Sequence, residues 1–309
     1  MLDRTPLTQD ETLNALDYPI ARHDTLFWNP VVIDFNGYSE RPHRPLPNGP
    51  AVLYNPRTLD IYSSKATTRY TPANYQELWT QIVEMCQLAG LDPATAQITV
   101  QKGRNHYGTD GSSVRVDLTW YDERIKADPH VDDYIALRMT FLASYDLSWS
   151  IQLKFSGLRL WCTNGCYHSD FAIRAVERHT GDIEIGKYQN VITNARERFA
   201  SSENMYQDMA RKPILFDHAM DVLSKLAQVS TPPRKRHHRY PSHSVHTIHT
   251  LEDLLRDYFG QIGHTKWAAY NAATEWATHF KTKGQYVKQH TAREAQVARL
   301  FNTKEWAEL

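Results

Sequence analysis

Two cysteines and a histidine near the middle of the chain have types and spacing suited to metal binding. Cys162 and Cys166 are separated by three residues, and His168 follows two positions later. Zinc prefers thiolate and imidazole ligands, but a structural zinc usually has four of them. The fourth would have to come from a distant histidine such as His237 or His243. We favour the alternative, in which the cysteines lie in the core or in a turn, and we expect neither a metal nor another cofactor.

No spacing in the chain points to a catalytic group. A cysteine nucleophile would need a histidine base and an orienting carboxylate or amide, and 15 histidines make such a trio easy to draw but impossible to choose. The sequence has no phosphate-binding glycine loop, dinucleotide fingerprint, H-E-x-x-H or G-x-S-x-G motif. Asp132, Asp133 and Asp146 do not form the paired motif of a two-metal nuclease. We therefore expect no enzymatic activity.

Basic and aromatic residues are interleaved along the strand-forming part of the chain, on a helix that follows it, and in the segment RKRHHR (234–239). Lysine and arginine neutralise phosphates, and aromatic rings stack on unpaired bases whatever their identity. The alternative is a solvated sheet face with extended basic side chains. The residues expected to contact single-stranded DNA are Lys102, Arg104, Tyr107, Arg115, Trp149, Lys154, Arg159, Trp161, Arg196, Arg198, Arg234, Lys235, Arg236 and Arg239.

The stretch 133–166 is expected to form the centre of the sheet that positions these residues. It is dense in β-branched, aromatic and aliphatic residues, and it predicts strands over about 134–145, 149–155 and 158–162. Ser156-Gly157 is expected to supply the second turn. In the last strand, alternation places Leu158 and Leu160 on one face. It places Arg159 and Trp161 on the other, which would be available to a partner.

A hairpin is expected before this stretch. Residues 97–107 and 113–121 alternate polar and apolar side chains around a turn that begins at Gly108 and ends at Gly111. In the second arm Arg115, Asp117 and Thr119 share one face, which is therefore solvated or faces a ligand. Residues 122–132 are polar and predict a connection outside the sheet.

Helices are expected on both sides of the strands. Apolar spacing predicts a helix over 72–89 with Thr71 as N-cap and Pro72 at N1, and its Cys86 is expected in the core. Further helices are expected over about 184–210 and 213–229, and three more after residue 250. The fold class is therefore α+β, with a sheet covered by a long helix and followed by a helical tail. The predicted regions are an N-terminal strand and loop region (1–65), a core (66–229), a basic linker (230–247) and a helical region (248–309).

Composition sets only broad bounds. Lys+Arg and Asp+Glu both number 35, so the net charge favours no class of partner. Three cysteines, the absence of a long apolar run and the absence of an apolar segment at the N-terminus predict a cytoplasmic protein without a membrane partner.

Several phrases of the sequence together resemble one family. They are ASYDLSWSIQLKFSGLRLWCTNGC (143–166), AVERHTGDI (175–183) and VIT (191–193), with weaker likeness at 69–79 and 267–279. They resemble the signature of an uncharacterised family found in bacteriophages, prophages and mobile regions of plasmids, over about 60–280. The positions that match are Ser144, Tyr145, Asp146, Gly157, Arg159, Cys162, Asn164, Gly165, Arg178, His179 and Gly181. Leu147 stands where that family has glycine.

The order of elements, though no motif, is also similar to the core of phage single-strand annealing proteins of the RecT, Redβ and Erf type. That similarity implies a protein that binds single-stranded DNA and promotes annealing without ATP, assembled as a ring or filament of identical chains. We take this as the leading hypothesis. The alternative is an antagonist that binds a host defence protein or nuclease.

Overall fold

The structure is a computed structural model, which describes residues 6–24, 33–34, 37–38, 51–67, 70–128, 132–160, 165–166, 174–177, 185–227, 242–280 and 286–309. The strands are β1 (Ala21–Asp24), β2 (Ile33–Asp34), β3 (Gly37–Tyr38), β4 (Ala51–Tyr54), β5 (Ile61–Ala66), β6 (Gln97–Arg104), β7 (Asp110–Asp128), β8 (Asp133–Ser144), β9 (Ile151–Arg159), β10 (Gly165–Cys166) and β11 (Arg174–Glu177). The helices are α1 (Gln9–Ala15), α2 (Tyr75–Leu88), α3 (Ile185–Ser201), α4 (Glu203–Arg211), α5 (Phe216–Leu223), α6 (Ser242–Ile262), α7 (Lys266–His279), α8 (Tyr286–Leu300) and α9 (Lys304–Glu308). The α+β prediction is confirmed.

The centre of the molecule is an antiparallel sheet with the order β10-β9-β8-β7-β6, in which β11 also pairs with β9. A smaller sheet has the order β1-β4-β5, and β2 pairs with β3. The predicted hairpin is confirmed, since Gln97 of β6 pairs with Thr119 of β7 and Lys102 pairs with Val114. At its turn Gly111 has a φ of +68°, and a Cβ there would lie 2.2 Å from the Tyr18 ring. Both features favour glycine at this position.

One face of the large sheet is apolar and carries the core. Val116, Leu118 and Trp120 of β7 are buried on it, as are Met139 and Phe141 of β8. Helix α2 supplies its apolar stripe to this face, and the Cys86 sulfur lies 4.0 Å from that of Met139. Cys86 is therefore a core residue, as predicted, and its burial raises the pKa of its thiol to about 12. Helix α3 packs beside α2 through residues that include Tyr188 and Ile192.

Helix α2 begins later than the sequence predicts. Asn74, not Thr71, is the N-cap, because its side chain accepts a hydrogen bond from the Gln76 amide. The hydroxyl of Tyr145 accepts a bond from the Tyr75 amide at 3.1 Å, which fixes the preceding segment against the sheet. The helix ends near Gly90, whose φ of +75° is the left-handed conformation expected after a helix.

Strand β7 does not stop at Tyr121, so the predicted connection over 122–132 is wrong. The pairing register shifts between Trp120 and Arg124, which forms a bulge in the strand. Beyond the bulge the strand continues to Asp128, and Ile125 pairs with Ile135 of β8. A bulge interrupts the alternation of polar and apolar residues without ending the strand, and this explains the wrong prediction.

The two strands predicted over 149–155 and 158–162 are one strand, β9. Ser156 pairs with Arg138, and Gly157 pairs with Leu137 on one side and Cys166 on the other. Gly157 therefore lies within the sheet and not in a turn. The register between β8 and β9 runs without a shift from Ile135 to Leu142, so side chains alternate regularly along the whole strand.

The helices that follow the sheet differ in their limits from the predictions. The helix predicted over 184–210 is two helices, α3 and α4, separated at Ser202. Pro213 does not start a helix; it pairs with Thr265, and α5 begins at Phe216. Helix α6 begins at Ser242, inside the predicted linker, while residues 230–241 of that linker lie outside the described residues. No helix within the described ranges is both long and apolar enough to cross a bilayer.

The C-terminal helices contact the sheet of the predicted core. Glu294 of α8 binds Arg115 of β7, and the Trp267 indole of α7 donates a hydrogen bond to Asp133 of β8 at 2.9 Å. The residues of α7 are almost all buried. The predicted division of the chain into regions stays a prediction.

Candidate functional site

The second face of the large sheet is polar but mostly buried. Arg115, Asp117, Thr119 and Tyr121 of β7, which precede the bulge, project from it, and α8 lies over it. Arg115 is at its centre, and its Nη1 and Nη2 donate hydrogen bonds to the two carboxylate oxygens of Glu294 at 3.0 and 2.9 Å. Its Nε donates to Asp117 at 2.9 Å. Thr140 donates to the other oxygen of Asp117, and Arg138 donates to the Ser156 hydroxyl at 3.1 Å.

A cavity of about 220 Å³ lies between this face, α8 and the end of α7. It is bounded by strands β6 to β9 below and by the two helices above. Its lining is Gln97, Thr99, Gln101, Arg115, Asp117, Thr119, Tyr121, Arg138, Leu158, Thr278, His290 and Glu294. Only Leu158 among these has a wholly apolar side chain. We call this space the polar cavity.

The two carboxylates of the polar cavity are ionised. Burial alone would raise the pKa of Asp117 and of Glu294, but the charges of Arg115 and Arg138 outweigh it and hold both pKa values below their usual range. His290 is neutral near pH 7, because burial lowers its pKa to about 4. Its Nδ1 lies 2.7 Å from the Ala277 carbonyl oxygen, which can only accept, so Nδ1 carries the proton.

Two of the residues expected to contact DNA are buried, and the expectation that they lie on an exposed face is wrong. Arg115 is covered by α8, as described above. Arg159 is 1% exposed and forms an ion pair with the fully buried Asp133, with Nη2 2.6 Å from the carboxylate. The reason is the unbroken strand β9, in which Arg159 projects to the same side as Leu153 and Phe155.

The other predicted contact residues are dispersed. Arg196 pairs with Glu123, Arg198 is exposed on α3, and Trp149 and Lys154 are half-buried. Trp161, Arg234, Lys235, Arg236 and Arg239 lie outside the described residues, as do Cys162 and His168. Within the described part of the chain, no cluster of three or more His, Cys, Asp or Glu side chains is placed to hold a metal.

Three of the predicted contact residues do lie together, at the end of the β6–β7 hairpin. Lys102 is exposed and its Nζ lies 5.2 Å from the centre of the Tyr18 ring. Arg104 is exposed beside Asp110 at 3.6 Å. Tyr107 is 48% exposed, and its ring centre is 3.7 Å from that of His106. We call Lys102, Arg104, His106 and Tyr107 the hairpin end.

Sequence reasoning found one side of the polar cavity and missed the other. The alternation in β7 identified Arg115, Asp117 and Thr119 as a solvated or ligand-facing set. His290 and Glu294 were missed. Glu294 is 179 positions along the chain from Arg115, and nothing in the local pattern of α8 indicates that this helix contacts β7. His106 was also missed, although it adjoins Tyr107.

Comparison with known proteins gives a family. Neither the curated proteins nor the solved structures contain a match to the chain. A family model does match residues 64–303, a span that includes α2, the whole large sheet and helices α3 to α8. The chain therefore belongs to the family described as Domain of unknown function (DUF932).

Proposed function

We propose that this protein binds a small polar molecule in the polar cavity. The observation that supports the proposal is a space of about 220 Å³ lined by polar side chains at a position where a sheet and its covering helices would ordinarily pack together without a gap. Polar groups that line such a space lose water when the fold forms, so they need hydrogen-bonding partners. Ligand sites are concave and have a few convergent polar groups, and this cavity is partly enclosed and has several such groups.

Water is the competing occupant. At about 30 Å³ per molecule, the polar cavity would hold roughly seven waters. The cavity opens to solvent beside Tyr121, which is 40% exposed. A ligand that reproduces the hydrogen bonds of these waters can therefore enter and displace them.

A cavity-filling substitution tests the proposal. Thr99 lines the polar cavity, and Thr99→Phe would place a ring in it, whereas Thr193 is exposed on α3 and Thr193→Phe is the matched control. Each protein is dialysed to equilibrium against a defined mixture of polar metabolites, and the retained compounds are measured by mass spectrometry. We expect the wild-type protein and the control to retain at least one compound and Thr99→Phe to retain at least tenfold less.

The test also requires a folded variant. Circular dichroism establishes this for Thr99→Phe and Thr193→Phe alike. Retention of nothing by the wild-type protein, or equal retention by a folded Thr99→Phe variant, would contradict the proposal.

A second candidate function is binding of single-stranded DNA at the hairpin end. It is supported by two exposed cations at the end of β6 and an exposed tyrosine in the turn that follows, a combination that suits phosphates and an unpaired base. Strand annealing and assembly into rings or filaments belong to this candidate as further proposals. Arg115 and Arg159 have no part in it.

Salt dependence distinguishes a phosphate-binding surface from a merely basic one. The double variant Lys102→Ala/Arg104→Ala is compared with the control Arg211→Ala/Arg256→Ala. Each variant removes two exposed positive charges. Binding of a labelled oligonucleotide is measured by fluorescence anisotropy over a salt series. We expect the first variant to reduce the slope of log K against log salt by about 1.4, since each phosphate contact contributes about 0.7. Absence of binding by the wild-type protein at low salt, or equal slopes for both variants, would rule this candidate out.

A further inference from the structure

We infer that the molecule bound in the polar cavity carries no net charge and has both hydrogen-bond donors and acceptors. The inference rests on the proposed function, since it names the chemical class of the ligand at that same site. It follows from the balance of charges in the lining, from the types of the neutral side chains and from the volume.

The charges of the lining balance among themselves. Arg115 and Arg138 supply two positive charges, and Asp117 and Glu294 supply two negative charges. Arg115 contacts both carboxylates within 3.0 Å. A ligand that brought a charge of its own would therefore leave one charge without a counter-charge beside these buried ion pairs, which is unfavourable.

The histidine of the lining does not alter this balance. His290 is surrounded by Glu294, Arg293, Arg115 and the Ala277 carbonyl, and it is neutral near pH 7. The lining thus presents no unbalanced charge to which a phosphate, a carboxylate or an ammonium group could bind in preference to a neutral group.

The neutral side chains of the lining are suited to mixed hydrogen bonding. Thr99, Thr119 and Thr278 have hydroxyl groups, and Gln97 and Gln101 have amides. Hydroxyl and amide groups both donate and accept. A ligand with amide, urea or several hydroxyl groups can form hydrogen bonds with these side chains, whereas an apolar ligand cannot.

The volume limits the size of the ligand. A space equal to roughly seven waters holds on the order of seven to ten non-hydrogen atoms, because covalently bonded atoms pack more closely than water molecules do. A pyrimidine base or a pentose is of this size. A nucleotide or an oligosaccharide is too large to be enclosed.

Matched pairs of compounds test the charge rule. We would titrate the wild-type protein by calorimetry with uracil and orotate, with ribose and ribonate, and with ethylene glycol and ethanolamine. Within a pair that binds, we expect the neutral member to bind at least tenfold more tightly. Tighter binding of the charged member would overturn the inference while leaving the proposed function intact.

A charge change in the lining provides a second readout. Glu294→Gln leaves the cavity with one uncompensated positive charge, so we expect it to shift preference within each pair toward the anion by at least tenfold. A folded Glu294→Gln variant with unchanged preference would contradict the inference. If no member of any pair binds the wild-type protein, the ligand class inferred here is wrong. Whether the polar cavity binds a ligand at all is decided separately, by comparing the compounds that the wild-type protein and Thr99→Phe retain in dialysis.

Discussion

Replacement of Glu294 by glutamine is expected to lower the free energy of unfolding by about 3 kcal/mol, because it removes one partner of a buried ion pair. The side chains of Arg115 and Glu294 are 4% and 8% exposed, so water screens their interaction little. We expect the lower end of the range of about 3–5 kcal/mol for such losses, since Asp117 still pairs with Arg115 in the variant.

The measurement is urea denaturation of Glu294→Gln with Glu305→Gln as the matched control. Glu305 also pairs with a cation, Lys225, but its side chain is 61% exposed, and loss of a surface pair costs at most about 1 kcal/mol. Equal midpoints for Glu294→Gln and Glu305→Gln would show that α8 is not held by this pair.

Acid should cause the same loss of stability in the wild-type protein, because protonation of Glu294 breaks the ion pair with Arg115. Burial alone would raise the pKa of Glu294, but the charges of Arg115 and Arg138 outweigh it and hold the pKa below its ordinary value of 4.5. A depressed carboxyl pKa contributes stability that is fully present above the unfolded value and disappears as the pH falls through the folded value. Below about pH 4.5, stability should therefore decrease less steeply in Glu294→Gln than in the wild-type protein.

The same ion pair shows why the sequence predicted only half of the cavity. Alternation along β7 reveals that Arg115 and Asp117 share a face, and it is equally consistent with a solvated face and a covered one. The cover comes from Glu294, which is far away in the chain. Local patterns carry no information about such a contact, so the choice between solvent, DNA and a protein partner for Arg115 could not be made from the sequence.

The placement of Arg159, in contrast, could have been predicted. A turn at Gly157 restarts the alternation, which predicts that Arg159 projects away from the core. If residues 151–159 are treated as one strand, Arg159 falls on the side of Ile151, Leu153 and Phe155, which are all apolar. Glycine in the interior of a strand is less common than in a turn, so local preference favoured the wrong alternative. Gly157 lies within the strand because it pairs with Leu137 of β8 on one side and with Cys166 of β10 on the other.

A charged residue on the apolar side of a strand requires a partner, and Asp133 supplies it. Nε of Arg159 lies 2.8 Å from both oxygens of Asp133, and the guanidinium lies over the rings of Trp267 and Tyr258 at 5.3 and 5.8 Å. The Trp267 indole donates to the same carboxylate. The pair thus joins the ends of β8 and β9 to helices α6 and α7.

Substitution of Arg159 by methionine is therefore expected to destabilise the protein by about 4 kcal/mol, within the range for removal of one member of a buried pair. Asp133, which is fully buried, would lose its positive partner and keep the Trp267 hydrogen bond. The matched control is Arg57→Met, which removes an arginine paired with Asp17 at 62% side-chain exposure and should cost at most about 1 kcal/mol. Urea denaturation followed by tryptophan fluorescence measures both.

The same variant separates a structural role for Arg159 from a role in contacting DNA. A structural role predicts that Arg159→Met/Asp133→Leu is more stable than Arg159→Met alone, because the second change removes the unpaired carboxylate. A contact role predicts a stable Arg159→Met protein with weaker oligonucleotide binding. Because Arg159 is enclosed by Asp133, Trp267 and Tyr258, we expect the first result. If Arg159→Met unfolded with the same urea midpoint as the wild-type protein, the structural role of Arg159 would be contradicted.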